Sequence, residues 1–388
     1  MNLMSMFWSL LNFKRKLEKP FETLNNIYIS KENLLHNFDI FQERMPWKAI
    51  FPVLKSNAYW HWIKEVASIL KARKTPYIVV DSYFEALKIR EVNKSNILLI
   101  WYTLPSNLKN IDFSFIALTV YDFETLLELA KINKKVRIHL KIDSWMHRQG
   151  IYFEDLPKYL EFIKNSKNIV LEWVCTHFAD ADSIINDYSE LQIEIFRNSL
   201  SLIKDSWYVL KYIHSDNSAA TLKWFLNDEM TSLRLWISLY WINPLEASDD
   251  FFMLGEPLKP VLSFNSTIVL KKSLKKWEKV SYNGLFVAPE DMVIWIIPVW
   301  YYEWLSRKIS NKYEFAFWDI PLKILWRVCM NLTIVDLTWI HAEVWDEIEI
   351  ISRNKVKFNS IYELAKNSET ITYECCTRLS ETIRRTIK

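Results

Sequence analysis

Residues 50–80 read IFPVLKSNAYWHWIKEVASILKARKTPYIVV. The first five are a short apolar run with the character of a buried strand. Lys55 ends that run and opens a loop, residues 61–72 carry helical spacing, and residues 77–80 form a second apolar, β-branched run. Strand, loop, helix, strand is one βα unit of a parallel sheet.

The same alternation extends in both directions. Strand candidates lie at 26–29, 97–100, 115–120, 136–142, 169–176, 209–213 and 233–240. Helical patterns lie between them at 31–43, 82–92, 123–132, 153–165, 188–204 and 218–225. The first of these helices follows Ser30, a good N-cap, and carries Leu34, Leu35, Phe38 and Phe41. Eight or so βα units over about 220 residues point to a (β/α)8 barrel, with a doubly wound open sheet as the alternative. From about residue 256 the texture changes: 261–270, 279–282, 293–298, 324–330, 334–337 and 347–351 are strand-like, and 360–366 and 371–388 return to helix. The expected organisation is an extension of residues 1–22, an α/β barrel over 23–255 and a mostly-β domain over 256–388.

Half of the 388 residues are hydrophobic and 24% are charged, as in a soluble globular protein. A net charge of +3 gives no reason to expect nucleic acid or a membrane surface as partner. The four cysteines have no CxxC spacing, which suits reduced cytoplasmic thiols and no metal. In residues 1–20 an apolar run precedes Lys14, Arg15, Lys16 and Lys19. A signal peptide has the reverse order, and the run is too short to span a bilayer; a loose amphipathic extension is expected.

The composition has one anomaly: three Gly and nineteen Trp. Ordinary usage implies about 27 glycines in this length. The Trp also fall where glycine belongs, as in Tyr59-Trp60-His61-Trp62, Asp143-Ser144-Trp145-Met146 and 298–304. The Lys-, Asn- and Ile-rich composition fits an A+T-rich gene, in which GGN codons are scarce. The reading is that many of these positions are glycine in the living protein, UGA codons meaning Gly in its host. The alternative is an unusually aromatic chain.

Lys55 at the end of a strand would face the active end of a barrel, where its amine can take an aldehyde cofactor. With Trp60 and Trp62 read as Gly, residues 53–62 resemble the pyridoxal-phosphate lysine motif of the alanine racemases. The resemblance continues in order through Lys141 to Gly150, 171–179, His214-Ser215-Asp216-Asn217-Ser218, Arg234-Leu235-Trp236-Ile237, 280–284, 298–307, 327–330 and 371–374, and it spans about residues 23–385. It implies a pyridoxal 5′-phosphate enzyme interconverting L- and D-alanine, supplying D-alanine for peptidoglycan, with a homodimer as its working form.

By that resemblance Lys55 would carry the cofactor and act as one base. Tyr282, donated across the dimer interface, would be the other; two tuned groups must flank one carbon. Arg234 would face the pyridine nitrogen, and a permanent cation there keeps it unprotonated; His177 would orient Arg234. Tyr59, Asn217, Ser218, Tyr373 and the backbone around Trp236 and Ile237 would hold the phosphate. Arg148 and Met330 would take the substrate carboxylate, Tyr301 would narrow the entrance, and Lys141 lies where some family members carry a carbamylated lysine. Asn331, Glu303 and the Arg384-Arg385 end depart from the family pattern and weaken the preference for alanine over serine. The alternatives are a racemase for serine or another small amino acid, a non-catalytic cofactor-binding protein, and, with genuine Trp, a pseudoenzyme with a plugged site.

Overall fold

The computed structural model describes residues 22–388 except 186, 216, 224–228, 281–283, 285, 304 and 326–331. Nineteen strands occur among the described residues. Those of the first two thirds are β1 (Asn25–Ile29), β2 (Ala49–Pro52), β3 (Tyr77–Val80), β4 (Asn96–Leu99), β5 (Ile116–Val120), β6 (Val136–Lys141), β7 (Ile169–Cys175), β8 (Tyr212–His214) and β9 (Ser232–Leu235). The rest are β10 (Leu262–Thr267), β11 (Leu270–Leu274), β12 (Lys279–Val280), β13 (Phe286–Val287), β14 (Met292–Ile297), β15 (Glu314–Phe317), β16 (Ile320–Lys323), β17 (Thr333–Asp336), β18 (Glu347–Ile351) and β19 (Arg384–Ile387).

Strands β3 to β8 pair in parallel in sequence order, and β2 pairs in parallel with β9. Two contacts close the ring. Val53 bridges Val79, with the Leu54 amide donating to the Val79 carbonyl at 2.8 Å, and the Thr231 amide donates to the Ile213 carbonyl at 3.1 Å. Eight parallel strands with helices outside form the expected (β/α)8 barrel. The helices start where short polar side chains can take the orphan amides of a first turn: Ser30 accepts from the Asn33 amide, Ser82 from Glu85 and Asp122 from Thr125. The strands are short apolar runs buried on both faces, as a sheet covered by helices requires.

The first strand differs from expectation. β1 does not enter the barrel; it pairs antiparallel with β10 and parallel with β19. Ile27 and Ile29 are fully buried there, and both edges of the strand are satisfied. It thereby ties the start of the chain into a six-stranded sheet ordered β16-β15-β18-β10-β1-β19, beside a three-stranded sheet β11-β14-β17 and a β12–β13 hairpin. Two further corrections follow from pairing. The strand expected at 233–240 ends at Leu235, where the chain turns into a 3-10 segment, Ile237–Tyr240. The helix expected over 371–388 ends at Arg378, and Arg384–Ile387 becomes the strand that covers β1. Of the strand expected at 324–330, Ile324 makes a single bridge to Val335 and 326–330 lie outside the described residues, as do 1–21.

Candidate active site

The C-terminal ends of the barrel strands converge on one cavity, lined by Lys55, Lys141, Arg148, His177, Arg234 and Trp236 among others. Lys55 follows β2, Lys141 ends β6, His177 follows β7 and Arg234 lies in β9. A barrel places its chemistry at this face because the loops there can vary without disturbing the strands. The described lining carries four basic side chains and no carboxylate, so the cavity suits an anionic ligand.

Lys55 Nζ lies 4.0 Å from Asp81, at the end of β3, and 4.9 Å from the centre of the Trp236 ring. The loop that follows is held by Glu85, which accepts from the Asn57 amide at 2.8 Å and the Asp81 amide at 3.1 Å. Burial pushes both the Asp81 and Glu85 carboxyls above their ordinary range.

Arg234 is buried and held on several sides. It donates to the carbonyls of Thr176 (3.0 Å), His214 (3.2 Å) and Ser215 (2.9 Å), to His177 Nδ1 at 3.2 Å, and in a short contact to His214 Nδ1. A guanidinium has only donors, so both imidazole nitrogens must accept. The rings are held neutral to match: desolvation, reinforced by Arg234, drives both histidines well below the ordinary value. His177 therefore touches Arg234 as the motif implies. The residue the sequence reading left without a role is His214, whose only signal was its place in a motif beside β8.

Lys141 is buried and donates to Gln149 Oε1 at 3.1 Å. Desolvation, with Arg234 and Arg148 nearby, pulls its amine down to about 8. Arg148 lies on the loop after β6 and lines the same cavity.

A second cavity shares Trp236 and His177 with the first. Tyr59, His177, Asn217, Ser218, Ile237 and Tyr373 surround it, and Trp236 lines it as well. Ser218 Oγ accepts from the amides of Trp236 (3.1 Å) and Ser238 (3.2 Å). Tyr373 comes from the helix Thr372–Arg378, so the strand-rich part of the same chain completes this cavity. The Trp236 Nε1 is buried without a partner.

The remaining expected residues sit elsewhere. Tyr301, on the loop after β14, is 40% exposed and lines neither cavity. Glu303 on that loop is buried, accepts from the Trp300 amide at 3.3 Å and is pushed up to about 7 by burial. Tyr282 and Met330 lie outside the described residues, as does Asn331.

Two family models match the chain: "Alanine racemase, N-terminal domain" over residues 29–244 and "Alanine racemase, C-terminal domain" over residues 261–387. An alanine racemase of Borreliella burgdorferi is 31% identical over 355 residues, covering 90% of this chain and 93% of its own. One of Leptospira interrogans is 32% identical over 372 residues, covering 93% and 95%. Among solved structures, the alanine racemase of Bacillus anthracis with bound L-Ala-P superposes with a TM-score of 0.86 at 26% identity, covering 95% of this chain and 96% of that one. No helix among the described residues is long and apolar enough to cross a membrane.

Proposed function

Since the chain belongs to the alanine racemase family, we propose that it interconverts L- and D-alanine by moving the α-hydrogen between two bases, Lys55 on one face of the carbon and Tyr282 on the other. The observation that supports this reading most is the constellation at the barrel mouth: a strand-end lysine beside a buried arginine whose imidazole neighbours are held neutral. Pyridoxal 5′-phosphate is the cofactor we assign; its aldehyde takes up an amine, and its ring withdraws electrons from the α-carbon.

The residues fit that group at both ends. Lys55 supplies the amine that takes the aldehyde. Arg234, a permanent cation, would face the pyridine nitrogen and hold it without a proton, which would limit how strongly the ring withdraws electrons and so disfavour side reactions. His177 and His214 fix the arginine. Ser218, Asn217, Tyr59, Tyr373 and the amides at Trp236 and Ile237 form the phosphate cradle, since amides at a tight turn suit an anion. The misfit is the Trp236 side chain, which lines both the cavity of the lysine and that of the cradle. Arg148 and the Met330 amide take the alanine carboxylate, and Lys141 positions Arg148, as a carbamate where its depressed amine has reacted with carbon dioxide. Tyr301 narrows the entrance, and a partner subunit donates Tyr282, so the working unit is a homodimer. We place the enzyme in the cytoplasm, where D-alanine feeds peptidoglycan synthesis. Its parts are an extension (1–22), a barrel (23–255) and a strand-rich domain (256–388) that captures β1.

The test is racemisation of either enantiomer of alanine in heavy water, followed by circular dichroism and by loss of the α-proton signal. Lys55→Ala should abolish both. Tyr282→Phe should abolish racemisation while leaving slow α-hydrogen exchange with retained configuration in one enantiomer. Full racemisation by either variant would refute the two-base assignment.

A further inference from the structure

Among the described residues, fifteen non-glycine residues have φ in the left-handed region, and eight are Trp: 60, 62, 145, 207, 241, 277, 318 and 345. Bulky L-residues rarely occupy that region, because Cβ crowds the following carbonyl. Aromatic character is not the cause. No described Phe is left-handed, and Tyr59, the one such Tyr, sits inside the continuous left-handed run 56–60. Gly150 (φ +140°) and Gly284 (φ +54°), two of the three glycines, use the same region. The left-handed positions of this fold are thus shared chiefly between Gly and Trp.

The local geometry at these sites is that of glycine. Trp207 is the C′ residue of the helix Asp187–Asp205: its amide donates to the Lys204 carbonyl at 2.9 Å and the Tyr208 amide reaches the Ile203 carbonyl at 3.4 Å. That pair of bonds is the Schellman motif, whose C′ position favours Gly. Trp318 opens the two-residue loop of the β15–β16 hairpin with φ +56°, and tight hairpins favour Gly at such a position. The indoles gain little in return, Trp207 being 90% exposed and Trp318 81%.

Inside the barrel the misfit is steric. Trp173, fully buried on β7, is wedged among Phe51, Tyr77, Tyr212 and His139, with the His139 ring centre 3.7 Å away. The β6–β7 register shifts next to it, and its Nε1 has no partner. At the site, the Trp236 side chain lines both the cavity that holds Lys55 and the one that holds Ser218.

We propose that these ten positions (60, 62, 145, 173, 207, 236, 241, 277, 318 and 345) are glycine in the protein its host makes, the UGA codon being decoded there as glycine, and that glycine at 236 joins the two cavities into a single cleft long enough for a phosphorylated pyridine aldehyde. A single codon reassignment accounts for sites scattered through both parts of the chain. The first half of the proposal is independent of the racemase reading; the second rests on it.

Protein purified from the source cells and cut with trypsin decides the first half. The peptides covering 56–64, 205–211 and 313–323 should each carry the mass of glycine at the Trp position; tryptophan in them overturns the proposal. For the second half, two full-length recombinant chains, one with the ten indoles and one with ten glycines, are titrated with pyridoxal phosphate and followed by visible absorbance. The glycine chain should bind at least tenfold more tightly. Equal binding overturns the role of position 236. Glycine in the native peptides with no cofactor uptake by either chain leaves the decoding standing and sinks the cofactor reading instead.

Discussion

Trp207 offers a test in which the usual sign of a mutation reverses. Replacing a tryptophan by glycine normally destabilises a protein, through lost burial and added backbone freedom. Here the side chain is 90% exposed, so almost no burial is lost. The residue sits at φ +68°, where a Cβ costs roughly 1–2 kcal/mol. Trp207→Gly removes that cost and should stabilise the fold by about 1 kcal/mol after glycine's extra entropy is deducted. Trp207→Ala removes the same indole but keeps Cβ and should gain nothing. For a chain of 388 residues the unfolding entropy converts this into a rise of about 1 °C in the thermal midpoint, within reach of differential scanning calorimetry on matched samples. If the two variants shift together, or if the glycine variant melts lower, the left-handed strain argument fails.

Lys141 should react with carbon dioxide through its neutral amine. With its proton lost at about 8, carbamate should grow as pH rises from 7 to 9, seen as a carbon-13 signal from labelled bicarbonate that Lys141→Met lacks; a pH-independent signal contradicts this. His61 is buried and held down to about 4 by desolvation. A lowered folded value means that the unfolded chain binds the proton first, so stability is lost as pH falls below the ordinary histidine value of 6.5. Between there and about pH 4 the slope from this residue should be about 1.4 kcal/mol per pH unit; His61→Asn should flatten denaturant midpoints by that amount, and an unchanged slope removes His61 as the cause. Arg234→Lys should keep the charge but lose most of the hydrogen bonds to Thr176, His214, Ser215 and His177, lowering kcat by roughly tenfold or more for the loss of about 1.4 kcal/mol; wild-type kcat would show that the fork geometry is dispensable.

What could be read in the sequence was what depends on short-range pattern. The barrel strands announce themselves because each is a short apolar run between helices with polar caps, and β3 runs over the residues that periodicity assigns it. The destination of β1 was not legible: its residues look like any buried strand, and only pairing with β10 and β19, more than two hundred residues away in sequence, decides which sheet it joins. The same holds for 384–387, whose alternation is too brief to set against a helical neighbour and whose strand state is conferred by β1. In the site, Lys55, Arg234 and Ser218 were accessible through local motifs, whereas the acceptor role of His214 and the facing of Asp81 to Lys55 exist only after the barrel closes.

The electrostatics of the mouth follow one logic. Lys55, Lys141, Arg148 and Arg234 around one cavity repel one another, and burial makes that repulsion stronger than it is in water. The structure limits the cost by keeping His177 and His214 uncharged and by lowering the Lys141 amine to about 8, so that this lysine sheds its charge more readily than an exposed one. A ligand bringing a carboxylate into this cavity relieves part of what remains. Ligand binding should therefore raise the thermal midpoint more at low ionic strength than at high, because exposed Arg148 is screened by salt while buried Arg234 is not. Equal stabilisation by a phosphorylated ring lacking any carboxylate partner, at every salt concentration, would show that the cluster is structural and that its positive charge has no part in binding.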